Sequence, residues 1–103
     1  MTVRHVVLLR RQPDVEADPS AEADLTGRLR SLGAEIPGIE GWRVAANEYD
    51  RPLCWDYLLE ASLPDPDALT AYLAHPAHQA LLPELSAYFE LAVVDFDPER
   101  SDG

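Results

Sequence analysis

The stretch Val3-Arg4-His5-Val6-Val7-Leu8-Leu9-Arg10 restricts the fold more than any other. It is rich in β-branched and apolar residues and short enough for a strand. Side chains alternate along an extended chain. Val3, His5, Val7 and Leu9 therefore share one face, and Val6 and Leu8 lie on the other. Both faces are apolar at their centre, so this strand needs cover on both sides. A chain of 103 residues makes one domain with one thin core, burying about 60–70% of its unfolded surface. One cover is expected from the chain itself and the other from a subunit partner.

The rest of the chain supplies the first cover. Asp18 and Pro19 open a helix as N-cap and first-turn residue. Leu25, Leu29 and Leu32 form its inward stripe, and Gly33 is its expected stop. Acids crowd its start and Arg28 and Arg30 lie toward its end, an order that complements the helix dipole. Residues 35–41 read as a turn with two glycines and a proline. A second strand is expected from Trp42 to about Asn47 and a third over residues 54–63, antiparallel because the connection is short. Asp65 and Pro66 open a second helix with Leu69, Tyr72 and Leu73 on its inner stripe. His75-Pro76 interrupts it, because a residue before proline avoids the helical region. A short helix restarts with His75 as cap, and Pro83 is expected to cut it again. Residues 88–97 form the last strand.

This β-α-β-β-α-β order is that of an α+β, ferredoxin-like subunit with a four-stranded antiparallel sheet. Residues 1–97 make a single domain, and 98–103 are expected to be a flexible C-terminal tail. Helices on one face of the sheet leave the other uncovered. The simplest cover in so short a chain is a second copy, hence a homodimer.

The formal net charge of −11 argues against a nucleic-acid or acidic-membrane partner. No apolar run approaches the ~20 residues of a membrane helix, and the start carries no small-residue cleavage signal, so a soluble cytoplasmic protein is expected. Cys54 is alone, so neither a disulfide within the chain nor a thiolate zinc site can form. Ser62 and Ser86 lack any nucleophile elbow.

Three polar residues sit where apolar ones belong. His5 lies mid-strand between Val3 and Val7, and Asp95 lies mid-strand in Val93-Val94-Asp95-Phe96. His78 shares a helical stripe with Leu81, Leu82 and Leu85. Each is costly there unless paired. Taken alone, His78 is better read as a hydrogen-bonded, half-buried structural residue at a helix start; His5 changes that balance. Together the three could meet in one pocket, where a carboxylate beside an imidazole raises its basicity and fixes its tautomer. Such a pair suits general acid–base chemistry near neutral pH. A metal held by His75, His78 and Asp95 ranks lower, because the cap role would turn His75 away from His78.

The opening R-H-V-V-L-L-R, the turn E-I-P-G-I and the segment L-T-A-Y-L-A-H-P-A-H-Q together resemble the stress-responsive A/B-barrel (Dabb) domain over residues 2 to 97. The resemblance implies a dimeric α/β barrel formed by pairing two sheets. It further implies, by analogy with the polyketide cyclases of that family, catalysis without metal or organic cofactor. His78 oriented by Asp95 would be the base, and His5 or Tyr72 the hydrogen-bond donor. Tyr57, Leu81, Leu82 and Val7 would line the pocket for a small apolar or polyketide-like ligand. The chain departs from the cyclases at Tyr57, where they carry a further histidine, and at Gly27, where they carry an aromatic residue. The expected reaction is closure of a carbon–carbon bond by aldol or Claisen-type chemistry. The alternatives are a non-catalytic ligand-binding barrel and a cofactor-free oxygenase.

Overall fold

The computed structural model describes residues 2–100. In chain order the elements are β1 (Val3–Arg11), α1 (Pro19–Glu35), β2 (Glu40–Ala46), β3 (Tyr57–Leu63), α2 (Pro66–Ala74), α3 (Pro76–Tyr88) and β4 (Phe89–Phe96). The strands form one antiparallel sheet in the order β2-β3-β1-β4. This is the ferredoxin-like arrangement, with its second helix split in two at His75-Pro76.

The alternation in β1 decides what the sheet buries. Val3, His5, Val7 and Leu9 are all buried. Their cross-strand partners share their face: Ala61 and Asp95 flank His5, Leu59 and Val93 flank Val7, and Tyr57 and Leu91 flank Leu9. Leu25, Leu29 and Leu32 of α1 and Leu81, Leu85 and Tyr88 of α3 complete the core above this face. Asp18 caps α1 by accepting from the backbone N–H groups of Ser20 and Ala21, and Asp65 caps α2 through Ala68.

The opposite face carries Val6 and Leu8 of β1, Leu58 of β3 and Ala92, Val94 and Phe96 of β4. No described element covers it. Leu8 is 37% exposed, Phe96 47% and Val94 61%. Ion pairs rim the strip: Arg4 with Glu60 at 2.9 Å and Arg10 with Glu90 at 2.7 Å.

Local expectations failed in several places, mostly for non-local reasons. Helix α1 runs through Gly33 to Glu35. Gly33 is a contact glycine: a Cβ there would overlap the indole of Trp42. The last turn of α1 carries no base; Arg28 instead reaches across to α3 and grips Glu84 with two hydrogen bonds, at 3.0 and 2.6 Å. Pro83 does not end α3, which continues to Tyr88 because Leu81, Leu85 and Tyr88 anchor both sides of the missing hydrogen bond. Strand β3 starts at Tyr57, after a turn in which the N–H of Cys54 donates to the carbonyl of Arg51. At the C-terminal end, Asp97–Arg100 close in a hydrogen-bonded turn, and the rest of the expected tail lies outside the described residues.

Candidate functional site

A cavity of about 260 Å³ lies between the sheet and the helices. Its floor is His5, Val7 and Leu9 of β1 with Leu91, Val93 and Asp95 of β4. Leucines of α1 and α3 wall it, and Tyr72, Leu73 and His78 close one end. The expected wall residues Val7, Leu81 and Leu82 are all present, and the four expected polar residues, His5, Tyr72, His78 and Asp95, meet in this one space.

Their pairing differs from expectation. Asp95 bonds His5, not His78: Nδ1 of His5 lies 2.5 Å from Oδ1 of Asp95. The register forces this, since His5 and Asp95 are direct neighbours across β1 and β4. The carboxylate can only accept, so the proton is on Nδ1 of His5. His5 is buried, while the Asp95 side chain is about one-third exposed.

His78 finds another orienting group. Its Nδ1 lies 2.9 Å from the carbonyl oxygen of Leu73. A carbonyl also only accepts, so Nδ1 donates and Nε2 holds the free lone pair. Burial pushes the imidazole pKa below its ordinary value; the bond to the Leu73 carbonyl acts against this, and the nearby His5 adds to it. His78 is therefore a neutral base at neutral pH.

Tyr72, the buried residue of α2, stands between the two histidines. Its ring centroid is 5.3 Å from His5 and 4.8 Å from His78, with Trp42 at 6.0 Å behind it. Burial first, then the charge of Asp95, pushes its pKa up to about 12. It remains a proton donor across the physiological range. Among the described residues its hydroxyl has no hydrogen-bond partner in the protein.

Tyr57 is not part of this site. It shares the helix-side face of the sheet but sits opposite Leu9, four residues or about 13 Å along the strand from His5. There the start of α1 meets it: its hydroxyl donates to Glu22 at 2.5 Å and its ring packs edge-on against Phe89. Burial and Glu22 hold its pKa at about 12. Sequence reasoning missed Leu73 as the group that orients His78. The signal was present, because a break at His75-Pro76 must leave carbonyls of the preceding turn unpaired. Among the described residues no three histidine, cysteine or carboxylate side chains group as metal ligands, and no helix is long and apolar enough to cross a membrane.

The model of the stress responsive A/B barrel domain family matches residues 3–98. An uncharacterized protein of Streptomyces coelicolor is 37% identical over 78 residues, which is 76% of this chain and 80% of that one. A dimeric ferredoxin-like protein of unknown function from Thermobifida fusca superposes with a TM-score of 0.81 at 27% identity, covering 93% of this chain and 90% of that one. Two enzymes share the fold. The hydroxynitrile lyase from Passiflora edulis gives a TM-score of 0.80 at 15% identity, covering 97% of this chain and 96% of its own. SnoaB, a cofactor-independent oxygenase from Streptomyces nogalater, gives 0.72 at 19% identity, covering 98% and 96%.

Proposed function

We propose, from the premise that this chain belongs to the stress-responsive A/B barrel domain family, that its cavity performs acid–base chemistry on a small carbonyl compound without a cofactor. The observation that carries this reading is the cluster of one obligate donor, Tyr72, between two imidazoles whose Nδ1 atoms are both tied to acceptors. Nε2 of His78 takes a proton from the carbon next to the carbonyl. The electron pair moves onto the carbonyl oxygen, and the Tyr72 hydroxyl donates a hydrogen bond to the enolate that forms. Stabilising that charge in an apolar cavity is expected to lower the barrier more than any other contact. The enolate carbon then attacks a second carbonyl of the same molecule, closing a carbon–carbon bond, and the His78 imidazolium returns the proton it took to the new alkoxide. Bare Nε2 of His5, held by Asp95, offers an acceptor to the substrate. In a Claisen-type closure the alkoxide re-forms its carbonyl, the bond to the leaving group breaks, and that group takes the proton from His78.

A cavity of about 260 Å³ bounds the ligand. An apolar cavity of roughly 150 Å³ holds a benzene, so this one suits a single ring with a short side chain. A longer polyketide-like chain would extend past Val93, which is 53% exposed at the open side. On this reading, the uncovered apolar strip on the other face of the sheet is the surface by which two copies pair into a dimeric barrel; the relative from Thermobifida fusca, a dimeric ferredoxin-like protein, supports the pairing.

Deuterium exchange tests the chemistry before the natural substrate is known. In heavy water, the protein should accelerate exchange of the methyl protons of an aryl methyl ketone, and His78→Ala should remove that acceleration. Unchanged exchange in His78→Ala would eliminate the base role. A cavity that only stores an apolar ligand is favoured by the leucine-rich wall; it predicts binding of the ketone with no exchange at all.

A further inference from the structure

The break between α2 and α3 bears directly on His78. In an uninterrupted helix the N–H of Ala77 would bond the carbonyl of Leu73. Here His75, at φ −62° and ψ 136°, swings the chain out of the helix, as a residue before proline must. Among the groups thereby freed are the N–H of Ala77 and the carbonyl of Leu73. The ring of His75 satisfies the first, its Nδ1 accepting from Ala77 at 3.1 Å. The second is taken by Nδ1 of His78 at 2.9 Å and by the side-chain amide of Gln79 at 2.6 Å.

We infer that His75 is a positioning residue: by capping α3 it holds open the carbonyl of Leu73, which with Gln79 beside it fixes His78 in the Nδ1–H tautomer. The two histidines of this one turn are then opposite tautomers. Nδ1 of His75 accepts, so its proton is on Nε2; Nδ1 of His78 donates, so its Nε2 is bare. If the cap is lost, the N–H of Ala77 has no acceptor and competes for the Leu73 carbonyl, and the constraint on His78 goes with it. The helix break thus works as the orienting group of the base, the role a carboxylate plays for His5. The tautomer assignment stands on hydrogen bonding alone; its catalytic consequence rests on the base role proposed for His78.

The test reads tautomers rather than turnover, so it stands apart from the failure of that role. Two-bond proton–nitrogen correlation spectra of protein with isotope-labelled histidine, recorded at neutral pH, report which ring nitrogen carries the proton. The wild type should show His75 as Nε2–H and His78 as Nδ1–H. His75→Ala should convert His78 to a mixture or to Nε2–H. His75→Asn, which restores a side-chain acceptor at the cap, should return His78 to Nδ1–H. The same tautomer for both histidines in the wild type would overturn the proposal, as would a His78 signal unmoved by His75→Ala. Should His75→Ala fail to fold, the wild-type spectrum and that of His75→Asn still decide: loss of the Nδ1–H tautomer in the Asn variant contradicts the cap as its source.

Discussion

At the scale of single residues, environment sets the two groups of the proposed acid–base site apart. Burial lowers the pKa of His78 and raises that of Tyr72 to about 12. The proposed chemistry needs His78 neutral and Tyr72 protonated, and the two conditions overlap over a wide range. The exchange rate should fall on the acid side through a value below the ordinary 6.5 of histidine, with a plateau reaching well into the alkaline range. An acid limb at or above 6.5 in the rate profile would contradict this assignment. Stability follows the same sign. Above 6.5 the contribution of His78 is fully present. As the pH falls, the unfolded chain takes up the proton first, and stability is lost until the lower folded pKa is passed. Tyr72→Phe keeps the ring and removes the donor. It should lower turnover by roughly 10²–10³ with little change in thermal midpoint, since the hydroxyl has no partner in the protein among the described residues.

At the scale of elements, two glycines of α1 make a contrasting pair. Gly27 has open space where a Cβ would stand, whereas a Cβ on Gly33 would overlap the Trp42 ring. Gly27→Ala should stabilise the protein by about 0.5–1 kcal/mol, the gain of alanine over glycine in a helix interior. Gly33→Ala makes the same gain in propensity but overpacks a closed contact, and should come out destabilising by about 1–2 kcal/mol after that offset. Chemical denaturation of both variants measures the difference, and equal effects would refute the Trp42 contact. The pair also marks where sequence reading reaches its limit. The caps at Asp18, Asp65 and His75 were legible because they are local: a side chain bonds a backbone N–H two or three residues on. Gly33 was read as a stop because nothing near it in the chain announces Trp42. Pro83 was read as a break because its cost is local, while the packing that overrides it comes from across the core. The convergence of His5, Asp95 and His78 was legible as three polar residues out of pattern. Which of them pair was not, because the register of β1 against β4 belongs to neither strand alone.

At the scale of the whole molecule, the sheet has one face committed to the core and one left bare. The bare face is apolar at its centre and ion-paired at its edges, with Arg10 also stacked 4.2 Å from the Trp55 ring. A second copy covering that face would remove Leu8, Val94 and Phe96 from water together. Val94→Asp places a charge in the centre of the strip, where it would be buried without a partner. If two copies pair through this strip, the wild type should sediment as a dimer and the variant as a monomer at the same concentration; a monomeric wild type, or a dimer unaffected by the substitution, would refute the pairing. Such a dimer would bear on the site, because the floor of the cavity and the bare strip are opposite faces of the same two strands, β1 and β4.

The acid–base chemistry proposed for the cavity depends on where a carbonyl compound sits, and a crystal structure with the aryl methyl ketone bound measures that directly. The ketone oxygen should lie within about 3 Å of the Tyr72 hydroxyl and the methyl carbon within about 3.5 Å of Nε2 of His78. A ketone lodged outside the cavity, or inside it with its oxygen turned to the leucine wall and its methyl group remote from His78, would contradict that chemistry.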